Sequence, residues 1–155
     1  MSEKWKSVDP QTLPGHYARR FQQIAVAYFN AEISDLGLTP VQYVSLHAIY
    51  QQPGIDQRTL ARSISYDAAT IGGVIDRLET RGLVLRESNP DDRRVRLIRL
   101  TPAGLQTLKK AIPLVLRAQE HMLKPLSATE RKEFMRLFAR VVDGASDVEG
   151  TGEAD

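Results

Sequence analysis

Between Ile55 and Leu100 the spacing of the apolar residues changes from helical to strand-like. The first half carries two apolar stripes at intervals of three and four residues, which predict two short helices. The stripes are formed by Leu60, Ala61 and Ile64, then by Ala68, Ile71, Val74, Ile75 and Leu78. Beyond Gly82, two short apolar runs flank the turn Asn89-Pro90-Asp91-Asp92 and predict a β-hairpin. Two helices and a hairpin in this order form a winged helix-turn-helix, whose second helix enters a DNA major groove.

Residues typical of helix ends mark the two short helices. Asp56 precedes the first helix and Asp67 precedes the second, and an aspartate there accepts hydrogen bonds from the free N–H groups of the first turn. Gly82 follows the second helix at a position where a left-handed backbone is common. Ser65 and Tyr66 are predicted to form the tight turn between the helices.

Longer helices are predicted on both sides of this unit. The first runs from about His16 to Ser34, because its apolar residues recur at helical spacing. The later helices start at Thr39-Pro40, at Thr101-Pro102 and at the capping box Ser127-Ala128-Thr129-Glu130. The predicted fold class is therefore mostly α with a small β-hairpin wing, flanked by N- and C-terminal helices whose large apolar faces need cover.

Length and composition limit the class of protein. A chain of 155 residues is one domain's worth, with room for a proper core. It has no signal-peptide pattern and no apolar run of membrane-spanning length, so we expect a soluble, cytoplasmic protein without a membrane partner. Cysteine is absent, which excludes disulfides and thiolate metal sites.

The formal net charge of +2 hides an uneven distribution. Five of the 19 acidic residues lie between Asp143 and Asp155, and this stretch has no basic residue. The rest of the chain therefore holds 21 basic residues against 14 acidic ones. A basic domain with an acidic tail is compatible with a DNA partner.

Five short motifs resemble, in order and spacing, the MarR family of bacterial transcription regulators. They are Leu60-Ala61, Asp76-Arg77-Leu78-Glu79, Arg81-Gly82-Leu83-Val84, Asp91-Asp92-Arg93-Arg94 and Leu100-Thr101-Pro102-Ala103-Gly104. The similarity extends more loosely from about Gly15 to Val142. It implies an intertwined homodimer that binds a palindromic operator in double-stranded DNA, with the end helices buried across a two-fold axis. The alternative for these helices is an ordinary monomeric core.

The predicted layout has three parts. Residues 1–14 form a flexible N-terminal arm, residues 15–143 form a single MarR-like domain, and residues 144–155 form a disordered acidic tail. Within the domain, the winged helix-turn-helix covers about residues 38–100. The dimerisation helices cover about residues 15–35 and 102–143.

All basic residues from Arg58 to Arg99 are arginines, whose planar guanidinium groups suit guanine edges and phosphates. The resemblance implies that Arg94, at the wing tip, enters a narrow minor groove. It also implies that Asp92 orients an arginine, while Arg93 is the phosphate partner. The alternative, a solvated basic surface, explains single arginines better than their clustering around one helix and one hairpin.

Further DNA contacts are predicted on the helix-turn-helix itself. Thr70 is expected to meet a base edge or a thymine methyl, and Gly73 to allow close approach of the backbone to DNA. Arg77 matches a family position that contacts phosphate or braces the wing. Ser65 and Arg58 are further phosphate candidates.

A ligand site is predicted from two groups of residues. Tyr43 and His47 lie one turn apart on the second helix, and His16, Tyr17 and Arg20 lie together at the start of the first. The resemblance implies a cleft for small aromatic acids between the DNA-binding lobe and the dimerisation helices. In it we expect Arg20 with His47 to hold a carboxylate, and Tyr17, Phe21 and Tyr43 to flank a ring. The competing explanation is that these side chains belong to the core or an interface.

The sequence indicates neither an enzyme nor a metal or other cofactor. It shows no nucleophile–base pair and no phosphate-binding loop, and its three histidines lie on separate predicted helices. The leading hypothesis is a homodimeric repressor that releases its operator when a hydroxybenzoate- or hydroxynicotinate-type effector binds. The alternatives are a ligand-independent or architectural DNA-binding protein and a protein-interaction module.

Overall fold

The computed structural model describes residues 7–145, and six α-helices and three β-strands follow one another in that range. They are α1 (Pro14–Ile33), α2 (Pro40–Gln51), β1 (Ile55–Asp56), α3 (Gln57–Ser63), α4 (Ala68–Thr80), β2 (Val84–Ser88), β3 (Arg96–Leu100), α5 (Pro102–Met122) and α6 (Ala128–Asp143). Short 3₁₀ turns at Pro10–Thr12 and Ser34–Leu36 flank α1. The predicted fold class, mostly helical with a small wing, is confirmed.

The chain forms two compact units, one up to Gln119 and one from Glu120 onward. The first contains α1 to α4, the sheet and most of α5, and the second contains the end of α5 and all of α6. Residues 1–6 of the predicted arm and 146–155 of the predicted tail lie outside the described residues. No helix in residues 7–145 is long and apolar enough to cross a membrane.

The predicted caps are confirmed, and two of them share one design. The Asp56 carboxylate accepts from the backbone N–H of Thr59 at 3.0 Å and from its hydroxyl at 2.7 Å. The Asp67 carboxylate binds the N–H and hydroxyl of Thr70 in the same way. In each pair, hydrogen bonds from the threonine side chain and then its backbone lower the pKa of the aspartate. Asp56 and Asp67 therefore stay ionised at neutral pH, and their negative charges stabilise the N-termini of α3 and α4.

The three strands form one antiparallel sheet in the order β1-β3-β2. Val84 pairs with Leu100 at the base of the wing, and Ile55 pairs with Ile98 on the other edge of β3. The first strand was not predicted, because two residues are too short to show an alternating pattern. The sheet covers a core whose fully buried side chains include Leu46, Ile49, Leu60, Ile71, Ile75, Leu78 and Ile98.

The base of the wing is joined to α5 at the carbonyl oxygen of Leu83. This oxygen accepts from the backbone N–H of Thr101 at 3.1 Å. The Thr101 hydroxyl donates to the Gly82 carbonyl at 2.6 Å and accepts from the Gly104 N–H at 3.0 Å. A Cβ added at Gly104 would lie 1.9 Å from the Leu83 oxygen, so α5 approaches the wing as closely as glycine allows. The Thr-x-x-Gly spacing noted in the sequence thus has a packing reason.

We expect Gly104→Ala to lower the free energy of unfolding by roughly 1–3 kcal/mol or more, because the methyl group must displace backbone rather than a flexible side chain. Gly15→Ala is the matched control, since a Cβ there meets nothing within 4 Å. Urea unfolding of both variants measures the difference. Equal stability of the two variants would contradict the junction described above.

Candidate DNA interface and effector cavity

The second helix of the helix-turn-helix, α4, has one buried face and one exposed face. Its buried residues are Ile71, Val74, Ile75 and Leu78. The exposed residues are Ala68, Ala69, Thr70, Gly73, Asp76, Arg77, Glu79 and Thr80. Thr70, Gly73 and Arg77, predicted to meet DNA, therefore share the accessible face.

Hydrogen bonds and free space on this face limit the DNA contacts that each residue can make. The Thr70 hydroxyl donates to Asp67, so its hydrogen is engaged in the cap while its methyl group and an oxygen lone pair stay available. A Cβ added at Gly73 would meet nothing within 4 Å, so packing within the protein does not require glycine there. The expectation that Gly73 allows close approach of the backbone to DNA stays a prediction. Ser65, in the turn before α4, is exposed and has a left-handed backbone with φ of 57°.

At the wing tip, Asp92 holds the backbone and the Nε of Arg94. The Asp92 carboxylate accepts from the backbone N–H of Arg94 at 3.0 Å and from its Nε at 3.2 Å. The Arg94 side chain is nevertheless 93% exposed. Asp92 thus holds Arg94 at its backbone N–H and Nε, while most of the Arg94 side chain stays exposed. Arg93 is exposed beside it.

Arg86 braces the wing against α4. Its Nη1 lies 2.7 Å from a carboxylate oxygen of Asp76 and 2.7 Å from one of Glu79, and its side chain is 19% exposed. The side chains of Asp76 and Glu79 are 68% and 41% exposed, so solvent screens part of this attraction. Sequence reasoning considered Arg77 for this bracing and missed Arg86. The available signal was the pair of acids three residues apart on α4, followed by an arginine in the first strand of the wing.

Several other arginines are also engaged within the protein. Arg81 donates to the carbonyl oxygens of Leu36 and Gly37 at 2.9 and 2.8 Å, which ties the end of α4 to the loop after α1. Within the wing, Arg99 pairs with Glu87 and Arg96 donates to Ser88. Another group is exposed and makes no side-chain hydrogen bond or ion pair with residues 7–145. This group consists of Arg58, Arg62, Arg77 and Arg93.

Two cavities lie on either side of Tyr43 in α2. The narrower, about 180 Å³, opens to solvent between α1, α2 and α5 and is lined by Gln22, Ala25, Val26, Phe29, Pro40, Tyr43, Val44, Val115 and Gln119. The ring centroids of Phe29 and Tyr43 are 6.1 Å apart. Burial raises the pKa of the Tyr43 phenol, so its hydroxyl stays protonated and can donate at neutral pH.

The wider cavity, about 390 Å³, lies between α2 and α3. His47 lines it together with Ser63, Ile64 and the other side of Tyr43. The rings of Tyr43 and His47 are 6.3 Å apart. His47 is not part of the lining of the narrower cavity.

The predicted ligand residues at the start of α1 are not brought into either cavity of the same protomer. His16 and Tyr17 contact each other edge to face, and Arg20 donates to Gln23 on its own helix at 2.8 Å. The reason is helical geometry, because Arg20 and Phe29 are nine residues apart and point to opposite sides of α1. Within residues 7–145, no group of three or more histidine, aspartate or glutamate residues is placed to hold a metal ion.

A winged helix-turn-helix with an arginine-tipped wing defines the chain as a DNA-binding regulator of transcription. The sequence model of the MarR family matches residues 38–95. The transcriptional regulator HosA of Escherichia coli O111:H- is 36% identical over 128 residues, which cover 83% of this chain and 93% of that protein. The chain belongs to the MarR family.

Solved structures show the same similarity. The PcaV transcriptional regulator from Streptomyces coelicolor, in complex with its natural ligand, has a TM-score of 0.82 and 39% identity, over 90% of this chain and 98% of that one. BpsR of Bordetella bronchiseptica, whose DNA binding is regulated by 6-hydroxynicotinic acid, has a TM-score of 0.83 and 31% identity, over 88% of this chain and 97% of that one.

We expect Arg94→Ala to weaken DNA binding by more than about 1 kcal/mol, chiefly at A·T-rich positions, because the wing loses the group that suits a narrow minor groove. Arg117→Ala is the control: it removes the same charge from α5, where Arg117 pairs with Glu32 at 3.1 Å. Fluorescence anisotropy with labelled duplexes measures both. Equal losses of affinity in the two variants would show that the overall positive charge of the protein, rather than the wing tip, accounts for DNA binding.

Proposed function

We propose that the chain is a homodimeric repressor that leaves its palindromic operator when a small aromatic carboxylate binds, of the hydroxybenzoate or hydroxynicotinate type. The similarity to PcaV with its natural ligand and to BpsR, regulated by 6-hydroxynicotinic acid, supports an effector of this kind. The observation that carries the proposal is the narrow cavity between α1, α2 and α5.

The lining of this cavity suits an aromatic ring with polar substituents. Phe29 and Tyr43 provide aromatic walls, and apolar side chains from α1 and α5 complete them. The Tyr43 hydroxyl and the carboxamides of Gln22 and Gln119 offer hydrogen bonds to ring substituents. A mostly apolar pocket with a few placed polar groups is the usual form of a small-molecule site.

The homodimer accounts for the position of Arg20. Tyr17 and Ile24, three and four residues from Arg20, are 62% and 39% exposed and share its face of α1. Further apolar side chains are exposed on α6, where Leu137 is 46% and Val141 is 71% exposed. Burial of such faces against a second copy is favoured by the hydrophobic effect. In that dimer Arg20 supplies the carboxylate contact to the cavity of the partner protomer.

Effector binding then acts through the relative position of helices. α2 belongs to the DNA-binding lobe, whereas α1 and α5 contribute to the proposed dimer. A ligand bound between α2 and these two helices favours dimers whose two recognition helices are wrongly spaced for the operator. The two half-sites of the operator lie about 34 Å apart. The ligand shifts the population by the difference of its affinities for the two states.

We expect Arg20→Ala to leave operator binding nearly intact and to weaken the effector roughly 10- to 150-fold, because one charge-assisted contact is lost. Arg117→Ala should keep the wild-type response. Release of labelled operator, titrated with 4-hydroxybenzoate, protocatechuate and 6-hydroxynicotinate, measures the change. If no aromatic acid releases wild-type protein, the ligand-independent DNA-binding class becomes the better description.

A further inference from the structure

Gln57 reaches across the helix-turn-helix from α3 to α4. Its Nε2 donates to the carbonyl oxygen of Ala68 at 3.1 Å. Ala68 is the first residue of α4, and the N-terminal residues of a recognition helix are those that contact base edges. A carboxamide that belongs to α3 therefore lies on the DNA-binding end of α4.

Gly72 provides the space for this carboxamide. A Cβ added at Gly72 would lie 3.0 Å from Nε2 of Gln57, closer than ordinary contact. Near this end of α4, Ala69 and Gly73 offer no polar side chain, and the Thr70 hydroxyl already donates to Asp67. The side chain of Gln57 thus occupies the place that a side chain at position 72 would take.

The chemistry of this group fits one base. One N–H of the carboxamide is used on Ala68, and the second N–H and the carbonyl oxygen remain. A neighbouring donor and acceptor match N7 and the amino group of adenine in the major groove. We propose that Gln57 is a specificity-determining residue that reads one adenine in each half-site. This inference rests on the proposed operator binding.

Selection from a random duplex library with the full chain tests the inference. The variants are Gln57→Ala and, as a matched control, Gln106→Ala, which removes an exposed carboxamide from α5. Wild type and control should select the same symmetric site. Gln57→Ala should lose an adenine preference at one position per half-site, where replacing the base costs wild-type protein about tenfold in affinity or more. An unchanged preference overturns the inference.

A second variant separates base reading from other roles of Gln57. Gly72→Ala displaces the carboxamide, so it should abolish the same adenine preference in the wild-type background and change little when Gln57 is already alanine. Equal effects in both backgrounds would show that the new methyl group itself meets DNA, and would contradict the inference. So would a uniform loss of affinity at all sequences with the base preference unchanged, which indicates a phosphate contact. A wild-type protein that selects no sequence refutes operator binding itself.

Discussion

The close contact between Gly104 and the carbonyl oxygen of Leu83 fixes the geometry on which the DNA-binding face depends. Leu83 lies between the end of α4 and the start of the wing, while Gly104 lies in the first turn of α5. Gly82 turns the chain here with a left-handed backbone, φ 70°. Recognition helix, wing and α5 therefore meet within a few residues, and backbone contacts set their relative directions. Side chains on the accessible face can vary without loosening this junction.

Charge on this face is divided between structure and recognition. Arg81 holds α4 to the loop after α1 by donating to two carbonyl oxygens. Arg86 holds α4 to the wing, and the carboxylates of Asp76 and Glu79 compensate its charge. Arg94 is oriented by Asp92 but stays exposed. The number of arginines in the sequence thus overstates the charge available to DNA. The exposed arginines without such contacts are Arg58, Arg62, Arg77 and Arg93, and they lie on α3, α4 and the wing.

Much of the fold could be predicted from local signals. The spacing of apolar residues predicted the helices. Asp56 and Asp67 predicted where α3 and α4 begin, and Gly82 predicted where α4 ends. These signals act within a few residues, so they are visible in the sequence. β1 was missed for the same reason, since its two residues are ordered by pairing with β3. Contacts between distant residues, such as Arg81 with Leu36, are not visible in spacing.

The structure separates the predicted ligand residues, whereas the predicted DNA-contacting residues of α4 share one accessible face. Tyr43 was chosen for its position on α2, and it does line the narrow cavity. His47 shares its helix face but lies on the wider cavity, because α2 packs against different helices on its two sides. The proposed role of Arg20 depends on a second protomer. Local spacing alone does not predict which face of a helix meets a partner.

The central claim is that arginines of the helix-turn-helix and wing contact phosphates in both protomers. The most direct test is the salt dependence of affinity for a duplex selected from a random library. If the dimer neutralises about eight phosphates, the logarithm of the association constant falls against the logarithm of salt concentration with a slope of about −7. Arg93→Ala should reduce the magnitude of this slope by about one for each protomer. A flat salt profile for the wild-type protein would contradict the claim.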